Sequence, residues 1–210
     1  MAKLLYIEAS PRKDRSKSIQ VARTFLAAYQ KSHPDDSIET LDLWATTLPS
    51  FNGPAIEAKY AIIQGQAHTP AQAQAWKSVV DVAEHFKSAD KYLFSLPMWN
   101  FGVPYVFKHY IDVLIQPGLT FSFDPQSGGY KGLVTGKKAA AIYARGGAYG
   151  PGTGMEGYDL QSKTLSGILG FIGLTDLVTI FVEPTLGPKD VAEAGFAKAE
   201  DLALATAKSF

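Results

Sequence analysis

The sequence predicts an α/β protein built on a doubly wound, parallel sheet of five strands. Short, continuously apolar runs recur along the chain, helical patterns fill the intervals between them, and one run alternates apolar and charged residues. The continuous runs are LLYIEA (4–9), KYLFSLP (91–97), KKAAAIYA (137–144) and DLVTIFV (176–182). A strand with no polar face must be covered on both sides, as parallel strands are beneath crossover helices. The alternating run, SIETLDL (37–43), sets Ile38, Thr40 and Leu41 among charges, as an edge strand does.

The intervals justify the helices in turn. Ile19, Ala22, Phe25, Leu26 and Tyr29 share one face of a first helix. HTPAQAQAWKSVVDVAEHF opens a second with Thr69 as N-cap, Pro70 at the first helical position and Gln72 three residues after the cap. Its register then carries Trp76, Val79, Val80 and Ala83 inward. A third helix is expected to start at Pro104 and to bury Val106, Phe107, Tyr110, Ile111 and Leu114; a fourth spans Asp159 to Ile172, and the last runs from Pro188 to the C-terminus. TFSFDPQSGGYKGLV (120–134) reads as a small hairpin inserted before the fourth strand, with Gly128 and Gly129 at its turn. Strand and helix in alternation, with the edge strand second, favour the flavodoxin-like order 2-1-3-4-5. At 210 residues the expectation is one domain, 1–210.

Composition narrows the function. Twenty basic residues balance twenty acidic ones, so no net charge draws the chain to nucleic acid or to an anionic membrane. Without cysteine there is no disulfide, thiolate metal site or cysteine nucleophile. No apolar segment is long enough to span a bilayer, and the N-terminus lacks a signal-peptide pattern, so a cytoplasmic protein is expected. The four histidines, His33, His68, His85 and His109, show no metal-ligand spacing, so no metal is expected. Asp35 and Asp36 read as a solvated turn.

In such sheets ligands sit beyond the carboxyl ends of the strands, where strand order reverses. Three loops qualify. The first, ASPRKDRSKS (9–18), sets Ser10, Ser16 and Ser18 around the start of helix one, where unpaired N–H groups and a positive dipole end can hold a phosphate; Arg12 and Lys17 add charge. The competing reading makes one serine an ordinary N-cap and the others surface residues. It is not a Walker loop, for it has no glycine run and no Gly-Lys-Ser/Thr ending.

The second loop, PMWNFGVP (97–104), places Met98, Trp99, Asn100 and Phe101 between two prolines. Large rigid rings there suit a wall for a planar ring system carrying a phosphate; alternatively they plug the core or form an oligomer contact. The third, ARGGAYGPGTG (144–154), holds Gly146 and Gly147 close to a strand end, where bare backbone N–H groups can face a flat polar ligand, and Arg145 either joins them or holds an acidic neighbour. Gly152, Gly154 and Gly157 satisfy GxGxxG but lie eight residues beyond the strand, too far for a dinucleotide turn, and read as a loop.

With these residues in view the chain resembles the FMN-dependent NADH-azoreductase family, relatives of the flavodoxin-like NAD(P)H:quinone oxidoreductases. The likeness rests on Ser10, the Ser16-Lys17-Ser18 entry to helix one, Pro-Met-Trp-Asn-Phe (97–101), Gly-Leu-Val-Thr-Gly-Lys-Lys (132–138), Arg-Gly-Gly (145–147) and Leu-Gly-Phe-Ile-Gly (169–173). Trp99 stands where the family often has Tyr, and Ala144 where Ser or Thr is frequent. The resemblance implies that Ser10, Ser16, Lys17 and Ser18 bind the FMN phosphate. It also implies that Pro97, Met98, Trp99, Asn100 and Phe101 border the isoalloxazine and that Ala144, Arg145, Gly146 and Gly147 line its pyrimidine end.

The implied reaction is two-electron, ping-pong hydride transfer from NADH or NADPH through FMN to quinones or azo compounds, with no protein side chain serving as a catalytic acid or base. A homodimer with flavin at the interface is implied too, and Phe121, Phe123, Tyr130 and Tyr149 are candidates for lining the substrate pocket or the subunit contact. The alternative is a flavodoxin-type one-electron carrier without NAD(P)H activity of its own. Such carriers tend to be strongly acidic, whereas this chain is neutral.

Overall fold

The structure is a computed structural model that describes residues 1–126 and 128–210. Its strands are β1 (Lys3–Glu8), β2 (Ser37–Asp42), β3 (Lys91–Pro97), β4 (Phe121–Asp124), β5 (Gly129–Gly132), β6 (Lys138–Ala144) and β7 (Asp176–Val182). Its helices are α1 (Lys17–Ser32), α2 (Gly53–Ile63), α3 (Pro70–Lys87), α4 (Tyr105–Leu114), α5 (Leu160–Phe171) and α6 (Lys189–Ser209). Five strands form a parallel sheet ordered β2-β1-β3-β6-β7, and β4 and β5 pair antiparallel as a separate hairpin. Once the two hairpin strands are counted, β6 and β7 are the expected fourth and fifth strands of the order 2-1-3-4-5.

The continuous apolar runs are explained by two cores. Alternate residues of β1, β3 and β6 enter opposite layers: Leu5, Ile7, Phe94, Leu96, Ala139 and Ala141 meet residues such as Phe86, Tyr110, Leu114 and Leu169 from α3, α4 and α5. Leu4, Tyr6, Leu93, Ala140 and Ile142 meet Val21 and Phe25 of α1 and Ala199 and Ala203 of α6. A residue on either face of these strands is therefore removed from water. The fourth continuous run, DLVTIFV, departs from this pattern. As an edge strand β7 buries only Ile180 and Val182, and Phe181 remains 36% exposed.

Local signals place the helices. Thr69 accepts from the Gln72 N–H at 3.3 Å while the Gln72 side chain accepts from the Thr69 N–H at 2.9 Å, a reciprocal box that fixes the start of α3. All five residues expected inside α4 are buried, but Pro104 is its N-cap and the helix begins at Tyr105. Asp159 and Pro188 likewise cap α5 and α6 from outside. The hairpin turn holds Gly128 at φ +67°, while Gly129 already belongs to β5; residue 127 lies outside the described residues.

One helix goes beyond the sequence reading and one expectation is corrected. Helix α2 has no counterpart in the sequence reading, because its buried stripe is only Ala55, Ala58 and Ala61 while Ile56, Tyr60, Ile62 and Ile63 face out. Asp36 is not a solvated turn residue: it accepts from the Tyr29 hydroxyl at 2.6 Å and the Ala2 N–H at 2.6 Å, with the Lys91 ammonium at 3.4 Å. That network ties the entry of β1, the exit of α1 and the entry of β3 together at the amino end of the sheet.

Candidate functional site

At the carboxyl end of the sheet a cleft of about 240 Å³ opens between the loops after β1, β3 and β6. Ser10, Arg12, Ser16 and Lys17 line it from the first loop, Pro97, Met98 and Trp99 from the second, Ala144 and Gly146 from the third. Thr185 and Leu186, from the loop after β7, complete it. This is the point where strand order reverses, with β1 and β3 adjacent and their crossover helices on opposite faces.

The serines sit at the entrance to α1. Ser16 is its N-cap, yet the Ser16 hydroxyl caps nothing; its neighbour is the Ser18 hydroxyl at 3.2 Å. Ser10, Ser16 and Ser18 are all buried. Ser10 Oγ accepts a long bond from the Arg12 N–H at 3.4 Å. An α-helix leaves its first N–H groups without intrahelical partners, and here the N-cap side chain does not take them up. Buried hydroxyls and free N–H groups at a positive dipole end make a cradle for an anion. No ion pair among the described residues engages Arg12, Arg15 or Lys17. The Lys17 ammonium lies 4.5 Å from the centroid of the Phe196 ring and 3.1 Å from Gln20 Oε1.

The second loop is a tight turn. Trp99 and Gly102 exchange both backbone bonds, at 3.0 and 2.9 Å, and the central residues Asn100 and Phe101 lie at φ +47° and +68°. Two successive left-handed residues are the geometry of a type I′ turn, which asparagine tolerates and phenylalanine does not. Strain of this kind persists where the surroundings fix it. Met98 N–H donates to the Ala144 carbonyl at 2.8 Å, and Trp99 packs against Trp44 and Tyr105, whose rings lie 5.9 and 6.2 Å away. Trp44 is anchored in turn by its indole N–H on the Ala9 carbonyl at 3.0 Å.

In the third loop the Arg145 side chain turns away from the cleft. It is fully buried, donating to Asp159 at 2.9 Å, Gln161 at 3.1 Å and Glu183 at 3.3 Å, and its guanidinium lies 4.1 Å from the centroid of Phe181. Its backbone is engaged too, with the N–H on the Val182 carbonyl and the carbonyl accepting from Thr185. Burial works against the Asp159 carboxylate, but the Ser162 hydroxyl and N–H and the Arg145 guanidinium outweigh it and hold its pKa below the ordinary range. Gln161 passes the linkage on to the Leu96 carbonyl, and Glu183 passes it to the Tyr149 N–H. By contrast the Gly146 and Gly147 N–H groups have no acceptor among the described residues.

Of the expected site residues, the structure therefore brings Ser10, Ser16, Lys17, Pro97, Met98, Trp99, Ala144 and Gly146 around one cleft. Ser18 stands behind Ser16, and Gly147 is exposed just beyond Gly146. Asn100 lines a neighbouring groove of about 770 Å³ on the far side of Trp99. Phe101 packs with Tyr158 and Tyr149 at ring separations of 5.0 and 6.3 Å. The hairpin aromatics Phe121, Phe123 and Tyr130 gather instead with Phe171 of α5, away from the residues that line the cleft. The GxGxxG glycines sit in the loop before α5, Gly152 and Gly154 at positive φ, with no strand leading into them. Among the described residues no group of three or more metal-ligating side chains converges.

A family model described as flavodoxin-like fold matches residues 2–205. The chain belongs to this flavodoxin-like family. Within it, the likeness read from the sequence holds. The chain is 49% identical to the FMN-dependent NADH:quinone oxidoreductase of Nitratidesulfovibrio vulgaris (strain DP4), over 100% of both chains. An azoreductase structure from Bacillus anthracis str. Sterne superposes with a TM-score of 0.90 at 31% identity, covering 100% of both. An FMN-dependent NADH-azoreductase from Bacillus anthracis str. Ames Ancestor, solved in complex with FMN, gives a TM-score of 0.84 at 27% identity over 99% of this chain and 100% of that one.

Within this flavodoxin-like chain one of two readings of Arg145 is favoured. Arg145 is read from the sequence either as joining the ligand's edge or as holding an acidic neighbour; each of its three guanidinium nitrogens donates to a side chain, Asp159, Gln161 or Glu183, as the second reading has it, behind the loop that carries Gly146 and Gly147. The sequence reading also passed over Thr185 and Leu186, because they follow a strand at the sheet's edge; Leu186 N–H bonds the Gly146 carbonyl at 3.1 Å and brings them to the cleft.

Proposed function

We propose that residues 1–210 form a single FMN-binding domain of a cytoplasmic, homodimeric enzyme that reduces quinones and azo compounds with NADH or NADPH. The observation that carries this reading is the N-cap serine whose hydroxyl caps nothing, in a cradle of buried hydroxyls beside a strained aromatic turn. The donor set suits FMN, since the hydroxyls of Ser10, Ser16 and Ser18 and the N–H groups opening α1 match a phosphate. Pro97, Met98 and Trp99 offer a flat apolar wall to a ring.

Bound FMN would supply the two-electron hydride exchange between nicotinamide and acceptor. The chain's own part is positional. Trp99 and Leu186 exclude water from the two sides of the cleft, and the Gly146 and Gly147 N–H groups stand ready to donate to negative charge at the pyrimidine edge. Arg145 holds those glycines in place without touching the ligand. Exposed apolar side chains support a second copy as partner, among them Tyr60 and Ile63 on α2, Tyr105 at the start of α4, and Phe123 and Tyr130 on the hairpin.

The test is the visible spectrum of the protein with FMN, followed by anaerobic NADH and then a quinone. Bleaching by NADH and recovery with quinone are expected; bound flavin that NADH cannot bleach would favour the one-electron carrier. Sedimentation equilibrium is expected to give twice the 22.7 kDa chain mass.

A further inference from the structure

A lysine outside the cleft shapes the cradle. Lys13 is held at φ +47°, in the left-handed region, within a single 3-10 turn that links Ser10 to Ser16. Its carbonyl accepts from the Ser16 N–H at 2.8 Å, and the Arg12 carbonyl accepts from the Arg15 N–H at 3.0 Å, so the path of the loop into α1 passes through it. A non-glycine residue stays in that region only if its surroundings over-determine it. Here the side chain does so. The ammonium lies 2.6 Å from Glu8 and 2.5 Å from Asp42, at the carboxyl ends of β1 and β2, whose register pairs those two residues.

The same contact has an electrostatic side. Glu8 lies two residues before Ser10 and is itself buried, with the Tyr6 hydroxyl at 3.4 Å; that hydroxyl also meets Ser95 at 2.9 Å. Asp42 Oδ1 accepts from the Trp44 N–H at 3.0 Å. Lys13 is thus the single ion-pair partner of both carboxylates among the described residues. Without its ammonium, two negative charges would stand at the end of the sheet where an anion is to be held, the buried Glu8 less screened by water than the partly exposed Asp42.

We infer that Lys13 is a positioning residue for the phosphate cradle: it holds the Ser10–Ser16 turn in its bound shape and cancels the Glu8 and Asp42 charges that would repel a phosphate. This rests on the reading of the cradle as the FMN phosphate site. It makes the ligand's phosphate, rather than its ring, the part that senses Lys13.

The experiment compares FMN with riboflavin, which carries the same ring and no phosphate, by flavin fluorescence titration of the full-length protein freed of bound flavin. Wild type is expected to prefer FMN, and Lys13→Met to lower FMN affinity about tenfold while leaving riboflavin affinity unchanged. Lys13→Gly removes the left-handed backbone cost but not the charge problem, so it is expected to lose FMN preference as well. Adding Asp42→Asn to Lys13→Met, which removes one of the stranded charges, is expected to restore part of it. An unchanged FMN-to-riboflavin ratio in both single variants overturns the inference and leaves the FMN site standing. Equal affinity of wild type for FMN and riboflavin overturns both.

Discussion

The loops after β1 and β6 face each other across the cleft and use polar groups in opposite ways. After β6, Arg145 is saturated: three side chains and an aromatic face take up its guanidinium, and the cleft sees only the backbone it supports. After β1 the small hydroxyls of Ser10, Ser16 and Ser18 are buried yet under-used, and the N-cap leaves helix N–H groups unclaimed. Spare hydrogen-bonding capacity, more than formal charge, marks the group that waits for a ligand. Ser16 and Ser18 have each other as side-chain partners and Ser10 has a long bond from the Arg12 N–H, so each hydroxyl keeps donor or acceptor capacity that a ligand in the cleft can take up.

The strongest way to break that contrast is Arg145→Met. Removing the guanidinium strands Asp159 and Glu183, both largely buried, and a destabilisation of about 3–5 kcal/mol is expected in urea unfolding. A loss below about 1 kcal/mol would mean that the network is not a brace. The opposite loop should respond the other way round. Ser16→Ala removes a hydroxyl that caps nothing, so the unfolding midpoint should barely move, while FMN affinity falls by about 1–2 kcal/mol in fluorescence titration. A large fall in stability with FMN affinity intact would reverse the assignment.

A smaller effect probes the wall between the two loops. At Phe101, φ +68° penalises any side chain, so Phe101→Gly should be more stable than Phe101→Ala by about 1 kcal/mol in thermal or urea unfolding. Glycine ordinarily loses that comparison because of its backbone entropy. If alanine is the more stable, the turn carries no strain, and its stiffness has to come from the Trp44, Trp99 and Tyr105 packing alone.

How far the contrast was legible in the sequence depends on where each partner lies. Thr69, Pro70 and Gln72 interact within one turn, so the start of α3 could be read directly, and the inward face of α4 followed from its period. The cleft's serines, aromatic turn and glycine pair were legible because strand ends and switch points localise ligands. What escaped depends on contacts distant in sequence. The choice between the two readings of Arg145 is set by Asp159 and Glu183, 14 and 38 residues away, and an Arg-Gly-Gly string does not say which acidic residues are near. Lys13 looks like one more surface cation in PRKDR until the register of β1 and β2 puts Glu8 beside Asp42. Helix α2 lacked a signal because alanines at threefold spacing bury little and its larger apolar residues face outward.

A further contrast lies at the other end of the sheet, where a hydrogen-bonded network around Asp36 has no cleft beside it. The Tyr29 hydroxyl, then the Ala2 N–H, and at longer range the Lys91 ammonium hold the Asp36 carboxyl down at about 2. Its folded value is depressed, so its contribution to stability is complete above the unfolded carboxyl range, near pH 4, and is lost as pH falls through about 2. Stability measured by urea unfolding between pH 5 and pH 2 should therefore decline with a slope that Asp36→Asn flattens. FMN affinity at neutral pH should not change in that variant, because Asp36 and the cleft lie at opposite ends of the strands. If Asp36→Asn weakened FMN binding as Ser16→Ala does, loss of general stability rather than loss of spare donors would explain both, and the distinction between saturated and waiting groups would fail.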